Sequence, residues 1–167
     1  MADSSTVELV DLNDWILALH LLSAVALIGA EVIFTIMVVA LWRTDSPGRV
    51  ASTMPLARIG TVLVMVGIAG TVVFGVWLAI SLDRYQLWDG WVIAALVLWA
   101  IGGFLGQKSG EAYQAGGELG AKLAAEGATS SPELAETFGA SRAFWLHWAT
   151  LAVVLLIVVD MIWKPGA

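Results

Sequence analysis

The sequence predicts an all-α integral membrane protein, a bundle of four spanning helices. Three observations predict it. Hydrophobic residues make up 59% of the 167 residues and charged residues only 13%, about half the charge of a soluble domain. Four long apolar segments run through the chain, at 15–42, 56–82, 91–108 and 143–163, and about 20 helical residues suffice to cross a bilayer core. Tryptophans gather at the ends of these segments, where aromatic belts form in membrane proteins. Backbone groups in lipid must be satisfied within the segment, so each span is read as a helix.

The N-terminal tail, residues 1–13, is polar and acidic, and residues 14–167 form the bundle. The tail lacks the basic n-region of a signal peptide, so the first span is expected to direct insertion. That span, Trp15–Trp42, carries two ionisable residues, His20 and Glu31. Eleven residues separate them, a spacing that returns to within about 20° of the same helix face. The second span opens after Pro55 and carries a small-residue stripe, Gly67, Thr71 and Gly75. The third carries another, Gly102, Gly106 and Gly110. Such stripes let helices approach closely in lipid. They are read as packing within the bundle, with a homodimer contact as the alternative.

The connection 108–142 is expected to be a cytoplasmic loop, rich in Gly, Ala, Ser and Glu. Gly116, Gly117 and Gly120 are expected to weaken any helix there. Ser131-Pro132-Glu133 reads as an N-cap, a proline at the first helical position and an acid in the first turn. The fourth helix is therefore expected to begin near Pro132.

Orientation follows from Lys and Arg. With four spans both termini share a side, which holds Arg84 and Lys164. The other side holds Arg43, Arg49, Arg58, Lys108, Lys122 and Arg142. The positive-inside rule places this second group in the cytoplasm and both termini outside. A multi-pass protein of a bacterial plasma membrane is expected. There are no cysteines, which excludes disulfides, iron–sulfur clusters and thiolate metal sites. A net charge of −6 argues against nucleic-acid binding. No phosphate loop or catalytic motif is present.

The ionisable residues inside the spans are the candidates for function. Helix rise puts His20 about 13 Å to the outer side of the first helix's midpoint and Glu31 about 4 Å to the inner side. In the fourth helix, His147 lies about 9 Å inward and Asp160 about 10 Å outward. The histidines thus differ by about 22 Å in depth, too far to share one haem. The matched depths are His20 with Asp160 and Met161, and Glu31 with His147. Met65 also matches His147. Bland roles are available to most of them: a hydrogen bond to a neighbouring helix for His20, interfacial solvation for His147, and an ion pair with Lys164 for Asp160. Glu31 has no cation at i±3 or i±4. It must be protonated, paired or hydrated.

Leu19-His20, Ser23-Ala24 and Gly29 resemble the first-helix signature of a predicted bacterial four-helix integral membrane family of unknown function. Ala57-Arg58, Gly75-Val76-Trp77-Leu78 and Asp160-Met161-Ile162-Trp163-Lys164-Pro165-Gly166 extend the likeness into the second and fourth helices. The pattern is distantly similar to the copper-resistance D membrane domain and to the HemJ-type protoporphyrinogen oxidase. The likeness to that oxidase implies a haem held by the first-helix histidine, here His20.

Three functions follow as expectations. The first is a haem-binding membrane protein for electron transfer or haem-dependent redox chemistry. His20 would ligate the iron of a haem b with Met161 as a second ligand, and His147 with Met65 would form a weaker second pair. The second is transport of a proton or metal ion, with Glu31, His147 and Asp160 as a relay. Histidine and methionine would also suit copper. Four helices enclose little, so transport would call for a homo-oligomer. The third is an accessory subunit of a larger membrane complex. Whether the protein is an enzyme is open.

The orientation is directly testable. Cysteines placed at Ser4 and Ser130 should label oppositely on intact cells with a membrane-impermeant reagent, Ser4 reacting and Ser130 protected. Labelling of Ser130 alone would reverse the assignment.

Overall fold

A computed structural model describes residues 11–82 and 86–164. Ser4, Arg84 and the closing Pro165-Gly166 lie outside the described residues. The described chain forms five helices: α1 (Leu12–Ala40), α2 (Pro47–Ser81), α3 (Gly90–Ala125), α4 (Pro132–Thr137) and α5 (Arg142–Trp163). No strand occurs among these residues. Four stretches are long and apolar enough to cross a membrane, namely α1, α2, α3 and Pro132–Trp163. The expected all-α bundle is therefore present. Its two ends are here named the terminal end, which carries Leu12 and Lys164, and the loop end, which carries the α1–α2 turn.

The helices pair as two hairpins. α1 packs along α2 and α3 along α5, while α2 and α3 join the pairs and α1 meets α5 only lightly. Both small-residue stripes serve this pairing. A methyl group on Gly60 would stand 2.9 Å from the Phe34 ring, and one on Gly67 would meet Leu27. On α3, Gly102 faces Val153 and Gly106 faces Thr150. Gly110, the third member of that stripe, has open space before it. Polar ties pin the hairpins further. Ser81 donates to Asn13 Oδ1 (3.0 Å) at the terminal end, and Ser109 donates to the Ala143 carbonyl (3.1 Å).

Three boundaries differ from expectation. α2 begins at Pro47 rather than after Pro55, which lies inside the helix. Ser46 caps it by accepting from the Arg49 N–H, and Pro47 fills the first turn, where a missing N–H costs nothing. Ser52 and Thr53 hydroxyls donate to the Arg49 carbonyl in the turn before Pro55 (3.0 and 2.8 Å). Hydroxyls of this kind help a membrane helix accommodate a proline.

The second difference is α3. It runs on through Gly116, Gly117 and Gly120 to Ala125, a length of about 54 Å against a hydrocarbon core of about 30 Å. Those glycines do not break the helix because they are its contact face. Gly116 lies against Phe138, Gly117 against Met54 and Gly120 against Val50. Burial against neighbours offsets the roughly 1 kcal/mol each glycine costs in a helix interior. Most of the expected loop 108–142 is thus helix. The third difference is that the helix begun at Pro132 stops at Thr137, and Ser141 caps a separate α5. Gly139 makes the break possible, since a Cβ there would stand 2.9 Å from the Ala135 carbonyl oxygen.

These extensions build a cap at the loop end. Leu41, Val50, Leu134 and Phe138 are its fully buried centre, with Met54, Tyr113, Leu119 and Leu123 around them. Backbone bonds latch the α1–α2 turn to the α4 segment: Arg43 N–H to the Phe138 carbonyl (2.9 Å) and Ser131 N–H to the Asp45 carbonyl (2.7 Å). Phe138→Ala should lower stability by about 3 kcal/mol, the usual cost of emptying a packed aromatic site. Thermal unfolding in detergent measures it, and an unchanged midpoint would show that the cap contributes nothing to the fold.

Candidate functional site

α1 carries four polar side chains toward its neighbours inside the apolar zone; one of them, Ser23, lies against Gly70 and donates to the Leu19 carbonyl of its own helix (2.7 Å). His20 faces α2. Its ring lies so close to Gly75 that a methyl group there would stand 2.9 Å from Cε1. Nδ1 is buried with no partner. Glu31 lies near the middle of α1, half-buried, and its Oε2 is likewise buried without a partner. Thr35, one turn further, reaches across to α5, with Oγ1 3.0 Å from His147 Nε2.

That bond spans the thin seam between the two hairpins. His147 is 5% exposed, held on α5 between Ala143 and Thr150, which are themselves packed on α3. Toward the loop end the seam is closed by aromatic packing, Trp42 on Phe144 with ring centroids 4.2 Å apart. Helix geometry places Glu31 within about 40° of Thr35 around α1, one turn nearer the terminal end. Glu31, matched in depth to His147 by sequence, thus stands one turn along α1 from the residue that bonds His147. The residue that sequence reasoning passed over is Thr35. Its signal was available: it stands four residues after Glu31 and is the only hydroxyl in the loop-side half of that helix.

The other candidates are placed less favourably. Asp160 is 8% exposed and its Oδ2 is buried without a partner. Lys164 adopts a left-handed cap conformation and sends Nζ over the Trp91 ring, 5.3 Å from its centroid. Met161 neighbours Asp160 on α5, whereas His20 is engaged by α2. Met65 is 65% exposed on the outer face of α2, so the expected pairing with His147, itself bonded to Thr35, is not made. The cause is helix phase: equal depth was read from rise alone, and Met65 points away from the bundle.

The residues named for a haem do not fit one in this arrangement. A macrocycle at His20 would have to part α1 from α2 where Gly75 brings them together. Among the described residues no group of three or more His, Asp or Glu side chains is placed to hold a metal ion.

A buried carboxyl group without a partner is a cost to the fold. Glu31→Leu should therefore stabilise the protein, by about 1 kcal/mol or more. A fall in the unfolding midpoint of this variant would show that Glu31 has a partner in the folded protein.

Comparison with curated proteins returned no match, and comparison with solved structures returned none. Nothing found extends the likeness to the copper-resistance D domain or the protoporphyrinogen oxidase. A family model described as "Predicted integral membrane protein (DUF2269)" matches residues 14–165. That match runs from the first turn of α1 to beyond the end of α5, so the chain belongs to this family of integral membrane proteins.

Proposed function

We infer that the protein binds and passes protons within the membrane, with Glu31 and His147 as the exchanging pair. One observation carries this reading. The side-chain hydrogen bond that joins α1 to α5 ends on a histidine, and it starts one turn from a buried carboxyl oxygen that has no partner. An uncompensated carboxylate at mid-membrane costs several kcal/mol, so Glu31 rests with a proton. An imidazole can take that proton and return it near neutral pH, which few other side chains do. Asp160, buried near the terminal end, is a second proton-holding group on the same side of α5's path to that end. With the loop end in the cytoplasm, Glu31 and His147 serve the inner half of the membrane and Asp160 the outer half. A neighbouring copy or a partner subunit would line whatever water path feeds Glu31, because four helices enclose little.

The test uses the full chain in lipid vesicles with an internal pH-sensitive dye and the membrane potential clamped. Wild-type vesicles should dissipate an imposed pH gradient faster than empty ones. Glu31→Gln keeps the shape of the side chain and removes its proton exchange, so decay should return to the empty-vesicle rate while helical content is unchanged. Equal rates for wild type and Glu31→Gln would overturn the reading. A visible absorption spectrum of the purified protein provides the contrast: a Soret band lost in His20→Ala would favour the haem function instead.

A further inference from the structure

Six threonines among the described residues lie in helices, and five behave alike. Thr53, Thr61, Thr71, Thr137 and Thr150 each donate their hydroxyl to the carbonyl four residues back, at 2.7–2.9 Å. This is the default for a hydroxyl on a helix with no better partner. Thr35 is the exception. It has no such bond to the Glu31 carbonyl, and its Oγ1 stands 3.0 Å from His147 Nε2 on another helix. Its side chain is half-buried, one helical turn from the partnerless carboxyl of Glu31.

We propose that Thr35 is the hydroxyl link through which Glu31 and His147 exchange a proton, and that it holds His147 with Nε2 unprotonated. The proposal rests on the proton-handling function above and names a residue that function alone does not require. The Thr35 hydroxyl donates into the Nε2 lone pair. Its oxygen then keeps lone pairs free to accept. Residues four apart on a helix have Cβ atoms about 5–6 Å apart, so a rotation of the Glu31 side chain brings its acid O–H to that oxygen. In the transfer step the Glu31 O–H bond breaks and a new O–H bond forms on Thr35. The original hydroxyl proton passes to Nε2. Thr35 ends as it began, Glu31 is a carboxylate and His147 an imidazolium. One proton has moved, and the reverse step restores the start. Without the hydroxyl, the histidine and the acid have no connection across the seam, and His147 has nothing to select its tautomer.

The test compares wild type with Thr35→Val, close in shape and without a hydroxyl, and Thr35→Ser, which restores it. Nitrogen-15 NMR of the imidazole reads the His147 tautomer. The infrared carboxyl band that disappears in Glu31→Gln reads the acid. In wild type, Nε2 should be unprotonated, a measurement that needs no variant. In Thr35→Val the Nε2 signal should move, while the Glu31 band, whose acid has no partner at rest, should keep its frequency. Proton flux should fall by about tenfold or more. Thr35→Ser should recover the Nε2 signal and most of the flux. A protonated Nε2 in wild type, or an Nε2 signal unchanged in Thr35→Val, would overturn the proposal. If wild-type vesicles pass no protons, the function falls, and the imidazole spectrum still decides whether Thr35 holds His147.

Discussion

Close approach between α1 and α2, and between α3 and α5, is the constraint on which the rest of the molecule depends. Lipid tails are as apolar as leucine, so helices in a bilayer are not driven together by burial of apolar surface. They associate where small residues let backbones near each other. Gly60, Gly67 and Gly75 do this for the first pair, Gly102 and Gly106 for the second. Each pair becomes a stiff hairpin. The hairpins then meet strongly along α2 and α3 and weakly along α1 and α5. Polar side chains collect at that weak line because a thinly packed seam leaves room for them.

The same logic explains why the best-packed part of the protein is not in the membrane zone. The fully buried residues Leu41, Val50, Leu134 and Phe138 sit at the loop end, where the hydrophobic effect operates against water. Within the spans most large side chains remain exposed on the molecule's surface, including Val25, Val62 and Leu155. In a bilayer that surface faces acyl chains and costs nothing. The protein thus uses two different sources of stability, one per environment. The glycines of α3 belong to both, spacing helices in the spans and accepting Phe138, Met54 and Val50 in the cap.

The spans were legible in the sequence because about 20 unbroken apolar residues have few other uses. The pairing stripes were legible for the same kind of reason, since small residues at four-residue spacing mark one helix face. The cap was not. Gly116, Gly117 and Gly120 carry the composition of a loop, and only a partner such as Phe138, distant in sequence, turns them into a packing surface. At the candidate site, depth was legible and direction was not. Rise alone matched Glu31 to His147, and it equally matched Met65, which lies on the outer face of α2. Thr35 escaped notice because a threonine in an apolar helix ordinarily bonds its own backbone. Its departure from that habit exists only in three dimensions.

The latch between the α1–α2 turn and α4 carries a consequence for biosynthesis. Arg43 and Phe138, joined by a backbone bond, are about 95 residues apart. At ordinary synthesis rates of about 5–20 residues per second, the turn waits on the order of 5–20 seconds for its partner. During that interval Leu41 and Val50, fully buried in the finished cap, lack Leu134 and Phe138 to cover them. The closing step of assembly is therefore the docking of one short helix on a surface completed long before.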